Sequence, residues 1–182
     1  PAVPVIEGYL RGGVPDIEQL RNECGPTSTA NSLLWLIKKY NLNTDELPKN
    51  PDGSVDEEAL LTELADAMRP GWDETTAPAG GDRGYPGLAP GQLETGTGNY
   101  IKENDLPLVV HGGHGDANAT GDAAFGFVKS ELQLGQDVQF LINWNGPGAH
   151  WVTVVGYIDA GPDKKTLIVH DPDDGVTGNA YW

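Results

Sequence analysis

The chain has 182 residues, 38% of them hydrophobic, which suits a single domain spanning 1–182 with a core of its own. It carries 27 acidic against 11 basic side chains, a formal net charge of -16, which argues against nucleic acid and anionic membrane as partners. No apolar run reaches the roughly 18 residues of a membrane helix, so no membrane insertion is expected. The start, Pro1-Ala2-Val3-Pro4, has no basic end or signal core, and a leading proline points to a trimmed or processed chain. The acidic balance suits a secreted or cell-envelope protein, a salt-adapted one or a calcium binder. The one cysteine, Cys24, excludes an internal disulfide framework and any zinc site built on several thiolates.

In chain order, Val3–Glu23 reads as extended or irregular, broken at Gly12-Gly13 and Pro15. A helix is expected over about Gly25–Tyr40, with Pro26 in its first turn and Ala30, Leu33, Leu34, Ile37 and Tyr40 on one buried face. Asn41 and Asn43 end it. A second helix is expected over Val55–Met68, opened by a Ser54/Glu57 capping box and striped by Leu60, Leu61, Leu64, Ala65 and Met68. From Pro70-Gly71 to about Gly98 the chain reads as a long covering loop, with a short helix near Tyr100. Leu106–His111 reads as a short strand and Ala123–Leu134 as a helix capped by Asp122. Strands follow at Val138–Trp144, His150–Ile158 and Lys165–His170, the first two joined by the turn Asn145-Gly146-Pro147-Gly148. Helices first and a mostly antiparallel sheet later predict an α+β domain.

The segment Asn22-Glu23-Cys24-Gly25-Pro26-Thr27-Ser28 places the lone thiol at the head of a buried helix. A thiol is a weak nucleophile until ionised, and a helix N-terminus and a nearby imidazolium both favour the thiolate. Backbone N–H groups there also suit an oxyanion hole. Of the four histidines, His150 opens a long apolar strand, where a rigid element can hold an imidazole at a cleft. Asp171 follows the next strand, at Asp171-Pro172, and an antiparallel neighbour can set its carboxylate behind His150 to hold the ring's tautomer.

Three motifs, Cys24-Gly25-Pro26-Thr27-Ser28, His150-Trp151-Val152-Thr153-Val154-Val155-Gly156-Tyr157 and Val169-His170-Asp171-Pro172 with Gly175, resemble those of the bacteriocin-processing (family-thirty-nine) cysteine peptidases and their wider papain-like relatives. The resemblance spans about Val14 to Gly175. It implies a papain-like peptidase fold, with N-terminal helices packed on the sheet, and a thiol protease acting through a thioester acyl-enzyme. In such a hydrolase Cys24 is the nucleophile, His150 the general base and then acid, Asp171 the residue that orients the ring, and Gln19 the side chain that completes the oxyanion hole. Relatives usually place that glutamine six residues before the cysteine. Here Gln19 lies five before, Glu18 takes the sixth place, and Asn22 is an alternative donor. A non-catalytic peptide-binding module on the same fold, or an amidase or acyl-transfer enzyme, are the alternatives.

The expected partner is a protein or peptide substrate, and no cofactor is needed. The run His111-Gly112-Gly113-His114-Gly115-Asp116 reads as a flexible loop rather than a metal site, for want of a third firm ligand. In Asn50–Asp56 the oxygen groups alternate as in calcium loops, but Leu61 stands where an EF-hand needs a glutamate. A looser calcium site there, or at Asp173 and Asp174, is a minor expectation. Trp144, Trp151 and Trp182 read as packing residues.

Overall fold

The computed structural model describes residues 7–19, 23–70, 87–112, 121–143, 149–173 and 180–181. Within them the chain is α+β, with four helices and a five-stranded antiparallel sheet. The elements are β1 (Glu7–Leu10), α1 (Cys24–Tyr40), α2 (Glu57–Met68), α3 (Pro90–Glu103), α4 (Gly121–Gln133), β2 (Val138–Asn143), β3 (Ala149–Asp159), β4 (Lys165–His170) and β5 (Ala180–Tyr181).

The long strand β3 organises the sheet. Its first half pairs with β2, Ile142 opposite His150, and its second half pairs with β1, Tyr9 opposite Tyr157. On its other edge β3 pairs with β4, which pairs in turn with β5. The β3–β4 pairing shifts register between Val154 and Gly156, and on the other edge Gly156 lets β1 lie close: a Cβ there would be 2.3 Å from the Tyr9 carbonyl oxygen.

Side chains of a strand alternate between faces, and the two faces here carry different helices. Trp151, Val155, Ile168 and Leu141 pack with α1, and beyond it α2 and α3 add Leu60, Leu64, Met68, Leu93 and Tyr100. Val138, Val152, Val154, Tyr157 and Val169 pack with Phe125, Val128 and Leu132 of α4. The sheet is thus covered on both sides, and α1 is buried where it crosses β3.

That position explains a departure from the amphipathic pattern. Residues 24–33 of α1 are all buried, including Thr27, Ser28, Thr29, Asn31 and Ser32, whereas Tyr40 is 52% exposed. Buried polar groups need partners. The Thr29 hydroxyl donates to Gln139 Oε1 at 2.8 Å, the Thr153 hydroxyl donates to the Ser28 carbonyl at 3.0 Å, and Asn31 Oδ1 accepts from the Ile17 N–H. Asn41 ends the helix as expected, in the left-handed conformation with φ 49°.

Four expectations need correction. The second helix begins at Glu57, and its cap is Asp56, whose carboxylate accepts from the Ala59 N–H at 3.0 Å. Ser54 is turned away, its hydroxyl donating to Asp52 Oδ1 at 2.6 Å. The stretch read as loop up to Gly98 contains most of α3: Pro90 suits the first turn, and Gly96 lets the helix lie against α2, a Cβ there falling 2.5 Å from Met68 Cα. Leu106–His111 is not a strand, although Leu106, Leu108 and Val110 pack on the core. In α4, Asp122 lies inside the first turn and accepts from Lys165 Nζ at 2.6 Å. Trp144, Trp182, the turn at 145–148 and Asp174 lie outside the described residues.

Candidate active site

Cys24 is the first residue of α1, directly after the buried N-cap Glu23, at the end of the helix whose dipole favours negative charge. Folding brings His150 to it from the start of β3 and Asp171 from the end of β4. Three lone residues of the sequence thereby become one row, each at most 9% exposed.

In that row His150 Nε2–H donates to Asp171 Oδ1 at 2.6 Å. His150 and the Cys24 thiol act on each other's ionisation, and with Nε2 engaged by the carboxylate, Nδ1 is the nitrogen left for the sulfur. The same Asp171 oxygen accepts from the Asp173 N–H at 3.0 Å, which holds the carboxylate in place just past the strand.

The electrostatics follow from this arrangement. Burial pushes the Cys24 thiol up, but the hydrogen bond to His150, the backbone N–H groups of Trp151 and Gly25 and the charge on His150 outweigh it, leaving the thiol below its ordinary value. For His150 burial pushes the imidazole down, but its hydrogen bonds to Cys24 and Asp171, and the charges of both, push it up to about 9. The two shifts have the sign of a thiolate–imidazolium pair.

Gln19 is brought to the flank of this row. The segment before it is tied at every second residue: His170 Nδ1–H donates to the Pro15 carbonyl at 2.8 Å, the Ile17 N–H donates to Asn31 Oδ1 at 3.0 Å, and the Gln19 N–H donates to the Pro172 carbonyl at 2.7 Å. Gln19 is therefore fixed beside the Asp171-Pro172 turn, with its carboxamide oxygen buried. The alternative donor, Asn22, lies outside the described residues.

The fold adds supporting groups around the row. The backbone N–H groups of Gly25 and Trp151 favour the thiolate, and only the strand–helix crossing reveals the second. The Trp151 indole N–H donates to the Leu88 carbonyl at 3.1 Å, pinning the residue after His150 to the entrance of α3. His170 acts as the latch on Pro15. Its position next to Asp171 was legible, but its partner, 155 residues away, was not.

Among the described residues no group of three or more histidine, cysteine, aspartate or glutamate side chains is placed to hold a metal ion. Asp52–Ser54 forms a closed turn in which the Ser54 N–H and hydroxyl both donate to Asp52 Oδ1. His114 and Asp116 lie outside the described residues. No helix among the described residues is long and apolar enough to cross a membrane. Compared with family models, curated proteins and solved structures, the chain matches none.

Proposed function

We propose that this chain is a cysteine-type peptidase with a papain-like fold, hydrolysing peptide bonds through Cys24, His150 and Asp171. One arrangement carries the reading: His150 is hydrogen-bonded to a buried carboxylate, and its imidazole and a thiol at a helix N-terminus favour each other's charged form. A buried thiol serving only as a small apolar residue needs neither partner.

In this mechanism the thiolate of Cys24 attacks the peptide carbonyl carbon. The carbonyl oxygen takes up the negative charge beside the first N–H groups of α1 and the Gln19 carboxamide. The tetrahedral intermediate collapses, the C–N bond breaks, and the imidazolium of His150 gives its proton to the leaving amine. A water molecule then attacks the thioester, with neutral His150 taking its proton, and thiolate and imidazolium are restored. Asp171 keeps Nε2 protonated throughout, so that Nδ1 is the atom that exchanges the proton. None of these steps calls on a cofactor.

The test is hydrolysis of an unmodified protein such as casein, by the parent and by Cys24→Ala. Cleavage by the parent alone is expected. Binding of peptides without cleavage points instead to a peptide-binding module, and turnover confined to isolated amides points to an amidase.

A further inference from the structure

One cross-strand row of the sheet is polar at a depth where side chains are ordinarily apolar. Thr153 of β3 stands opposite Gln139 of β2 and His170 of β4, and directly opposed residues share a face. Thr153 is fully buried and Gln139 half-buried. Each of the three holds a segment that carries part of the site. The Thr153 hydroxyl donates to the Ser28 carbonyl at 3.0 Å. Gln139 Oε1 accepts from the Thr29 hydroxyl at 2.8 Å and from the Ser28 hydroxyl at 3.4 Å. His170 Nδ1–H donates to the Pro15 carbonyl at 2.8 Å.

The ties from Thr153 and Gln139 join the helix headed by the thiol to the strand pair that presents the imidazole. Ser28 lies one helical turn, about 6 Å, along α1 from Cys24. Thr153 lies three residues, about 10 Å, along β3 from His150. Apolar contacts are non-directional and by themselves leave a helix free to slide or turn on a sheet. A hydrogen bond to one particular carbonyl fixes both height and rotation. The Ser28 carbonyl lies inside α1, where the next helical turn already supplies it with a donor. The Thr153 hydroxyl is therefore not needed to satisfy the helix, and what it adds is the placement of α1 on β3.

We infer that Thr153, with Gln139 beside it, is a positioning residue that sets the head of α1 against β3 and so holds the Cys24 thiol at the His150 imidazole. The inference rests on the peptidase reading for what the pair does, while the placement itself is read through the thiol. A thiolate favoured by a neighbouring imidazolium loses that support as the two separate. Misplacing a reacting group by about 1 Å can cost on the order of 10²-fold in rate.

The experiment compares the parent with Thr153→Val, which keeps the shape and loses the hydroxyl, and with Thr153→Ser, which keeps the hydroxyl. Each is measured by thermal unfolding, by iodoacetamide alkylation of Cys24 against pH, and by steady-state hydrolysis of one peptide. In Thr153→Val the pH at which the thiol becomes reactive is expected to move up toward the ordinary value of about 8.5. Its kcat/KM is expected to fall about 10- to 100-fold. Thr153→Ser is expected to keep both near the parent. A purely structural role lowers the melting temperature and leaves the alkylation profile of the folded protein in place, and that result overturns the inference. So does a Thr153→Ser variant as impaired as Thr153→Val. If Thr153→Val does not fold, Gln139→Met removes the second tie from a half-buried position and should shift the alkylation profile in the same direction; an unshifted profile overturns the inference. If the parent cuts no peptide, the peptidase reading fails by itself, and the alkylation profiles alone decide the role of Thr153.

Discussion

His150 Nε2 and Asp171 Oδ1 lie 2.6 Å apart, although 21 residues separate them in the chain. The hairpin of β3 and β4 makes this possible: Thr153 stands opposite His170, so the end of β4 arrives beside the start of β3. The carboxylate decides which ring nitrogen is left for the thiol, and so which proton can move.

Removing the members of the row one at a time should rank their roles. Cys24→Ala is expected to abolish peptide hydrolysis and to leave the melting temperature within a few degrees of the parent. His150→Ala should lower kcat on the order of 10³-fold, within the usual range for a general acid–base. Asp171→Asn should be milder, because its amide oxygen can still accept from Nε2–H. Steady-state kinetics on one peptide would check the order, and an Asp171→Asn loss as deep as that of His150→Ala would contradict the proposed tautomer role.

The pH profile follows from the two shifts. The reactive form needs Cys24 as thiolate, which holds above its lowered pKa, and His150 as imidazolium, which holds below about 9. Acylation should therefore rise on the acid side as the thiol ionises and fall through about pH 9 as the leaving amine loses its proton donor. Alkylation of the thiol needs only the thiolate, so it should not fall on the basic side. Measuring kcat/KM and alkylation on the same preparation separates the two groups.

Gln19 is held beside Pro172 by its own backbone, so Gln19→Ala should disturb little else. If its carboxamide serves the oxyanion, the substitution lowers kcat on the order of 10²-fold while the alkylation profile stays as in the parent. A loss in KM alone would instead assign Gln19 to substrate binding.

Gly96 is the point where α3 meets α2. Gly96→Ala forces a Cβ to within 2.5 Å of Met68 Cα, and overpacking of this kind costs about 1–3 kcal/mol. Thermal unfolding should show a melting temperature lower by several degrees, and an unchanged melting temperature would contradict the close α2–α3 approach.

Much of the sheet and the row was legible from local signals. The apolar run after His150 marked β3, Asn41 marked the end of α1, and the helix around Leu60–Met68 followed from its stripe. α3 was hidden because Gly91, Gly96 and Gly98 read as loop residues, and only the neighbouring Met68 shows why Gly96 is tolerated in a helix. The Ser54/Glu57 signal misled because Asp52 captures the Ser54 hydroxyl within the preceding turn. In the site, residue types and chain order pointed to Cys24, His150 and Asp171. The anchoring of Gln19 through Pro172, the Trp151 amide at the thiol and the latch of His170 on Pro15 depend on long-range crossings that no local pattern carries.

The most direct test is the rate of iodoacetamide alkylation against pH, for the parent and for His150→Ala. With a single cysteine in the chain, all of the signal belongs to Cys24. The thiolate is expected to appear below the ordinary value of about 8.5 in the parent and to move up in His150→Ala. A thiol that titrates at its ordinary value in the parent, and does not move in a folded His150→Ala, would contradict the Cys24–His150 pair.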